Sequence, residues 1–361
     1  MSNKKTLKFL FTIIIFAILL YYFQLFIFYT HQSILHKGLT RYHYLLSIKI
    51  IIFLAVAMFS GKALSMTLFS YIYTAFGLYL GYMLYIFQVS VFIHILSLFI
   101  TLPENIGIGI FFLCPLIICI YGVINALTTR VKKINLKYPG YNDKTTILLL
   151  SDIHLGALHQ KGSIKRIVKE TKELNPDIVV IAGDMADGSI KVKSDWMMPF
   201  NELTMPILYV TGNHEEMNPR DDMLKAVNET KIKHIGQNET YKFKGINFIG
   251  VDYGLNLRQS LSKVKQEKYV PNILISHIPI LVPEELKEYN IFLFLAGHTH
   301  GGQMFPIHIL AYLLNACFSG LYSDQTFSHH VYVTDGVNNA VVPMRVGSSR
   351  MFPLITIEGC N

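Results

Sequence analysis

A multi-span α-helical membrane domain followed by an α/β domain is the architecture this chain predicts, and three observations carry it. Only 16% of the 361 residues are charged and 52% are hydrophobic, against roughly a quarter charged in an ordinary soluble enzyme. The deficit is local. From Phe9 to Leu127 the only charged side chains are Lys37, Arg41, Lys49, Lys62 and Glu104. From Thr145 on, short apolar runs of strand length alternate with charged, helix-like segments, which is the pattern of a layered α/β fold.

The membrane elements follow in order. Phe9 to Thr30 is an apolar run long enough to cross ~30 Å of hydrocarbon at 1.5 Å per residue. Its length exceeds a signal-peptide core and no small-x-small site follows it, so it reads as an uncleaved anchor. A second, shorter segment runs from Tyr44 to Phe59 and carries Lys49. The third, Leu64 to Leu102, has 39 residues and no charge at all; that is more than one crossing needs and barely enough for a hairpin. The fourth is Ile106 to Leu127. Lys4, Lys5 and Lys8 precede the first segment, and Arg130, Lys132, Lys133 and Lys137 follow the last. The positive-inside rule then puts both ends in the cytoplasm and requires an even number of crossings. Four crossings, with one long third helix, satisfy it. The expected organisation is a transmembrane domain over 1–130, a basic linker over 131–144 and a cytoplasmic catalytic domain over 145–359, in the cell (inner) membrane.

The net charge of +8 sits largely in loops that flank apolar segments. No basic stripe is interleaved with aromatics, so nucleic acid is not an expected partner, whereas the lipid bilayer is. Cys114, Cys119, Cys317 and Cys360 show neither a disulfide framework nor a CxxC knuckle. His94 alone among the front histidines looks intramembrane, which is thin support for a proton path.

In the back domain the strands end in ligands. Thr146–Leu150 runs into Ser151-Asp152-Ile153-His154, and a lysine-rich helix is expected from Ser163 to Leu174. Asp177–Ala182 runs into Gly183-Asp184-Met185-Ala186-Asp187. Ile207–Val210 runs into Thr211-Gly212-Asn213-His214-Glu215. Ile273–Ile275 ends in Ser276-His277. Ile291–Ala296 ends in Gly297-His298-Thr299-His300-Gly301-Gly302-Gln303. One strand ending in a histidine means little. Five strands that each end in Asp, Asn or His converge, because open α/β sheets bind ligands at the carboxyl ends of their strands. Imidazole with carboxylate and amide oxygen suits borderline divalent metals such as Mn, Fe or Zn. The donors are too many for one ion. Two ions about 3.5–4 Å apart, bridged by a carboxylate, use them all.

In this order the blocks Asp152-x-His154, Gly183-Asp184-x-x-Asp187, Gly212-Asn213-His214-Glu215, His277 and Gly297-His298-x-His300 resemble the motif series of the calcineurin-like metallophosphoesterases. The GHTHGGQ form is similar to the membrane-associated branch of YkuE- and YaeI-type phosphodiesterases. The resemblance covers about Lys144 to Glu358 and none of the first 130 residues. It implies a four-layer α-β-β-α sandwich with the site at one edge. It also implies that Asp152, His154 and His300 hold a first metal, that Asn213, His277 and His298 hold a second, and that Asp184 bridges them. His214 would be the catalytic histidine, bound to neither ion.

The implied activity is that of a metal-dependent phosphoric ester hydrolase of phosphodiesterase or pyrophosphatase type, in which a metal-bridging hydroxide attacks phosphorus. Asp187 is expected to orient His214 or to be a surface turn residue, and Glu215 to cap the following helix. Arg345 is expected either to contact phosphate or to pair on the surface. Met304 to Leu321 is strongly apolar and uncharged, read as a buried helix or as a lid on the bilayer. A lid admits a lipid-linked phosphorylated substrate, of which UDP-2,3-diacylglucosamine and phospholipids are candidates from the resemblance. The alternatives are a soluble phosphodiester, a non-catalytic module that kept the fold, or a membrane sensor or transporter with a phosphoesterase appendage.

Overall fold

A computed structural model of the chain describes residues 3–59, 64–217, 220–264 and 269–360. The chain divides into two compact units, Met1–Val123 and Ile124–Asn361.

The first unit is helical: α1 (Asn3–Ile34), α2 (Arg41–Phe59), α3 (Met66–Ser97) and α4 (Glu104–Leu127), whose last turn belongs to the second unit. Phe11–Ile34, Met66–Ser97 and Glu104–Leu127 are long and apolar enough to cross a membrane. The ambiguous third segment is one continuous helix rather than a hairpin. It starts where the Ser65 side chain accepts from the Leu68 amide, and it runs unbroken to Ser97. Helix α2 spans 19 residues and carries Arg41 and Lys49. Helices α1 and α3 share polar contacts: Gln24 donates to the Tyr79 hydroxyl at 3.0 Å, and His94 Nε2 lies 3.0 Å from Thr30 Oγ1. The hydroxyl of Thr30 itself donates to the Phe26 carbonyl, so His94 is the donor to Thr30.

The second unit holds β1 (Thr129–Pro139), β2 (Lys144–Leu150), α5 (Lys161–Leu174), β3 (Ile178–Ala182), α6 (Ser194–Met197), β4 (Ile207–Val210), α7 (Arg220–Asn228), β5 (Lys233–His234), β6 (Gln237–Phe243), β7 (Ile246–Val251), α8 (Leu257–Lys263), β8 (Asn272–Ile275), α9 (Pro283–Leu286), β9 (Leu293–Ala296), α10 (Ile307–Leu314), β10 (Gly320–Ser323), β11 (His330–Val333) and β12 (Arg350–Cys360). They form two six-stranded mixed sheets, ordered β1-β12-β2-β3-β4-β5 and β10-β11-β9-β8-β7-β6. In the first, β2 through β5 are parallel and β12 runs antiparallel to β2. In the second, β7, β8, β9 and β11 are parallel.

One face of each sheet meets the other in a shared core that includes Ile147, Leu149, Val180, Leu208, Phe248, Ile273, Leu295 and Ile355. The opposite face of the second sheet packs Leu274, Phe294 and Val331 against Leu257 and Leu261 of α8 and Leu286 of α9. Both faces of β3, β4, β8 and β9 are therefore covered, and all their residues are buried. This is why they read as unbroken apolar runs rather than alternating ones.

The segment expected as a basic linker, 131–144, is for most of its length the edge strand β1, parallel to β12. Its Ile134 and Leu136 are buried while Lys133, Asn135 and Lys137 face out. The period-2 alternation specifies a half-buried strand, and the lysines suit an unpaired edge. Thr128 alone separates α4 from β1.

Candidate metal centre

The ligand turns lie at the carboxyl ends of β2, β3, β4, β8 and β9, and the backbone ties them together before any side chain does. Past the end of β2, the amides of Asp152, His154 and Leu155 donate to the carbonyls of Gly183, Asp184 and Met185 at 3.1, 3.0 and 2.7 Å. The tail Gly336–Asn338 closes over the first turn. Val337 N donates to Ser151 O, Asn338 N to Asp152 O, and the Asn338 amide side chain to Ile153 O at 2.6 Å. Two glycines make room for close approach. A Cβ on Gly212 would sit 2.2 Å from Asp184 Oδ1, and one on Gly297 would sit 1.9 Å from Ser151 Oγ and 2.7 Å from Asp152 Oδ2.

Asp152, His154, Asp184, His298 and His300 all have positive φ, between 50 and 74°. For an L-residue this region costs about 1–2 kcal/mol. Strain of this kind persists only where the surroundings over-determine it, and it clusters at functional sites. Here it aims five donor side chains inward from three turns.

The side chains converge. Three sets, Asp152 with His154 and His300, His154 with Asp184 and His214, and Asp152 with Asp184 and His277, each place three ligand atoms within 4.8 Å of one another. His154 Nε2 and His300 Nε2 face each other at 3.0 Å, and Asp152 Oδ1 is 3.3 Å from His300 Nε2. Asp184 Oδ2 lies 3.1 Å from His277 Nε2 and 3.9 Å from His154 Nε2. The His298 ring stands edge-on to that of His277, centroids 5.1 Å apart, and its amide donates to Asp152 Oδ2. Asn213 Oδ1 is buried with no hydrogen-bond partner, as is Asp152 Oδ1.

The donor set fits divalent ions. Burial, reinforced by the neighbouring His300, holds the pKa of His154 well below the usual imidazole value, and burial with Arg345 does the same for His300. Burial, then His277, lowers His298. These rings are neutral at pH 7, and a neutral ring offers a lone pair to a cation. Burial opposes ionisation of Asp184, yet His277, His154 and His214 around it hold its pKa well below the carboxylate range. His277 is the converse: burial disfavours its charge, but Asp184 raises its pKa to about 9. His277 Nδ1 donates to the Ala182 carbonyl at 2.8 Å, so Nε2 is the edge turned to Asp184. A proton there stands where a cation would bind.

His214 sits apart in character. Its Nδ1 donates to the backbone carbonyl of Asp187 at 3.0 Å, which leaves Nε2 as the open edge, 4.0 Å from Asp184 Oδ2. Its side chain is 23% exposed, whereas those of His154 and His277 are fully buried. Asp187 thus orients His214, but through its main chain. Its carboxylate accepts from the Ser189 amide and hydroxyl, and burial raises its pKa to about 6.

Glu215 does not cap a helix. It is fully buried and accepts the amides of Gly212, Asp184 and Ala186 at 2.6, 3.2 and 3.0 Å, which locks the third ligand turn to the second. Arg345 is neither a surface residue nor aimed at the donor cluster. It is fully buried and donates to the carbonyls of His300, Asp335 and Asn338 at 3.1, 2.7 and 2.6 Å. It joins the last ligand turn to the tail. The sequence signals were present, a glutamate abutting His214 and the only arginine of the tail before the final strand, but they do not say whether a charged side chain is buried.

The sequence profile of the Calcineurin-like phosphoesterase family matches residues 145–302. A Helicobacter pylori protein described as an uncharacterized metallophosphoesterase is 34% identical over 220 residues, covering 57% of this chain and 59% of its own. An uncharacterized metallophosphoesterase of Campylobacter jejuni is 30% identical over 254 residues, covering 66% of this chain and 67% of its own. A Danio rerio protein described as a transmembrane protein with metallophosphoesterase domain is 30% identical over 259 residues, covering 64% and 58%. The chain thus spans about three fifths of the length of the Helicobacter and Danio relatives.

Proposed function

We propose that this chain, which belongs to the calcineurin-like phosphoesterase family, is a membrane-embedded hydrolase of a phosphodiester or pyrophosphate bond, working with two divalent metal ions. The observation that supports this most is the donor cluster itself. Donor side chains from the strand-end turns meet there, five of them on left-handed backbone, with the Nε2 atoms of His154 and His300 facing one another at 3.0 Å.

Asp152, His154 and His300 would hold one ion and Asn213, His277 and His298 the other, with Asp184 available to both. When bound, such ions lower the pKa of water toward neutrality and neutralise charge on phosphoryl oxygens. The chain's own residues do the rest. The fixed Nδ1–H of His214 leaves Nε2 free, and when protonated it donates to the leaving oxygen or holds a phosphoryl oxygen. Glu215 and Arg345 keep the ligand turns in register. The apolar walls behind the turns exclude water from the buried donors, which strengthens their pull on a cation.

Mn-loaded full-length protein in detergent should hydrolyse bis-p-nitrophenyl phosphate. His214→Ala should keep two equivalents of metal by elemental analysis and lose turnover by about 10²–10⁴-fold. Loss of one metal in that variant would instead make His214 a ligand, for which its place beside His154 and Asp184 supplies the geometry.

The catalytic unit faces the cytoplasm of a cell (inner) membrane, given Lys4, Lys5 and Lys8 in the first turns of α1 and the basic residues of β1 after α4. This needs α2 to cross, and its 19 residues reach about 28 Å at 1.5 Å each. A reporter fused after Lys137 that is active only outside the membrane would overturn this orientation. The substrate carries a phosphoric ester, and a lipid-linked one is favoured by the apolar segment that leaves the metal centre.

A further inference from the structure

We infer that α10 docks the second unit onto an anionic bilayer surface and so sets the metal centre against phosphoesters carried by lipids; the substrate half of this rests on the hydrolase reading above. None of the residues of α10 is buried. Leu310 is 58% exposed, Tyr312 62%, and Leu313 and Leu314 each 73%, and Phe305 and Ile307 flank them. A helix against a protein core buries one stripe and wets the other. This one carries no formal charge and leaves every residue but His308 and Ala311 exposed. The buried-helix expectation for 304–321 is therefore wrong for its middle, and only its ends are tied down.

Those ends are tied to the metal turn. His308 packs its backbone against Gly302, where a Cβ would lie 2.2 Å away. Beyond the helix, Thr299 Oγ1 donates to the Phe318 carbonyl at 2.6 Å. Whatever covers α10 is thereby fixed relative to His298 and His300.

Two observations say that the cover is lipid. The first is continuity with the apolar helix that opens this unit. Asn125, in the last turn of α4, donates to the carbonyls of Arg345 and Ser348 at 3.0 and 2.8 Å. Phe305, at the head of the α10 segment, donates its amide to Val346 of the same loop at 2.7 Å. The exposed apolar helix is therefore held beside the turn where a membrane-length helix ends. The second is charge. Strand β1 leaves α4 with Arg130, Lys132 and Lys133 exposed. The Lys132 ammonium stands beside Gly320, 3.7 Å from where a Cβ would lie, just past α10. An exposed apolar helix with Lys132 beside the end of its segment suits an interface of acyl chains and anionic headgroups.

The test uses the full chain in nanodiscs of three parts phosphatidylcholine to one part phosphatidylglycerol, its native cysteines replaced. Nitroxides are placed by Leu310→Cys, Leu313→Cys and, as an exposed reference, Lys193→Cys. At 310 and 313 collisions with oxygen should exceed those with a nickel chelate, and at 193 the order should reverse. Equal nickel access at all three positions overturns the proposal. So does protection from both reagents with dipolar coupling between chains, which would place a second copy on α10. In parallel, the wild type and Leu310→Asp/Leu313→Asp are given soluble bis-p-nitrophenyl phosphate and a dialkylglycerol p-nitrophenyl phosphate in vesicles. The ratio of lipid to soluble rate should fall at least tenfold in the variant; an unchanged ratio overturns the lipid half. A wild type that cleaves neither ester defeats the hydrolase reading, while the collision data still decide the docking.

Discussion

At the carboxyl ends of β2, β3, β4, β8 and β9 the second unit buries Asp152, His154, Asp184 and His277 almost completely. At the amino ends of β8 and β9, beside the last residues of β1 and β12, it leaves a cleft of about 900 Å³ lined by Lys137, Tyr138, Phe292 and His329, with Tyr269 and Phe327 exposed at its mouth. The second region offers a cleft and the first offers chemistry. In the cleft the polar groups are satisfied: the Tyr138 hydroxyl donates to Val270 O at 3.1 Å, and His329 Nδ1 to Ile291 O at 2.7 Å. At the ligand turns Asp152 Oδ1 and Asn213 Oδ1 are buried without a hydrogen-bond partner. Unpaired buried polar atoms are costly and rare. They mark this end as built for a guest, which volume alone does not.

The comparison breaks most visibly at Asp184. Asp184→Ala removes the carboxylate that faces both imidazole sets, so bound metal should fall below two equivalents by elemental analysis and turnover by about 10³-fold or more. Tyr269→Ala and Phe327→Ala, in the cleft, should stay within about twofold of wild type. Comparable losses from the two ends would mean that the cleft, not the turns, is the active region.

Glu215→Ala separates holding the site from being the site. The substitution leaves three buried amides without an acceptor, at about 1–3 kcal/mol each when unpaired. A fall in melting temperature on the order of 10 °C is expected for a loss of roughly 3 kcal/mol or more in a unit of this size. Metal affinity should drop about 10–100-fold, as for a residue that supports ligands without binding the ion. Unchanged melting with lost turnover would make Glu215 a participant in the chemistry rather than a support.

The donors were readable because each follows an apolar run. A strand ends where alternation or apolarity ends, and the next residue with a lone pair stands at the sheet's edge. Asp152, His154, Asp184, His277, His298 and His300 follow such runs, and the structure brings them together; Asn213 follows one too, and its Oδ1 is buried without a hydrogen-bond partner. What was not readable depends on partners far along the chain. Glu215 meets Asp184 across a separation of 31 residues, and Arg345 meets His300 across 45. Nothing local distinguishes a buried charge of that kind from an exposed one. Composition likewise cannot tell an apolar helix that faces core from one that faces out, so α10 stayed ambiguous until its exposure was seen. The basic segment after Leu127 was misread for a different reason: its charges drew attention from the alternation of Ile134, Leu136 and Tyr138, which makes it β1.

The smallest effect is expected at Asn125, and it sharpens the comparison from the membrane side. Its side-chain amide donates to the carbonyls of Arg345 and Ser348, and Arg345 in turn donates to the carbonyl of His300. The ligand turn is thus two hydrogen-bonded steps from the end of α4, while no such chain to α4 runs among the described residues lining the cleft. Asn125→Ala removes two donors and leaves two carbonyls to find other partners, at about 1 kcal/mol in all. The melting temperature should fall by roughly 2–4 °C. Metal affinity and turnover should change in proportion to how far the His300 turn relaxes, about twofold if half of that energy reaches it. Asn125→Asp, which keeps the shape but turns a donor into an acceptor facing two carbonyls, should be worse than Ala on every one of these readouts. If Asp and Ala are equal, the two hydrogen bonds carry nothing and the end of α4 is only a tether. If Asp is worse for metal affinity as well as for melting, the helix end is part of what holds the metal turn in place.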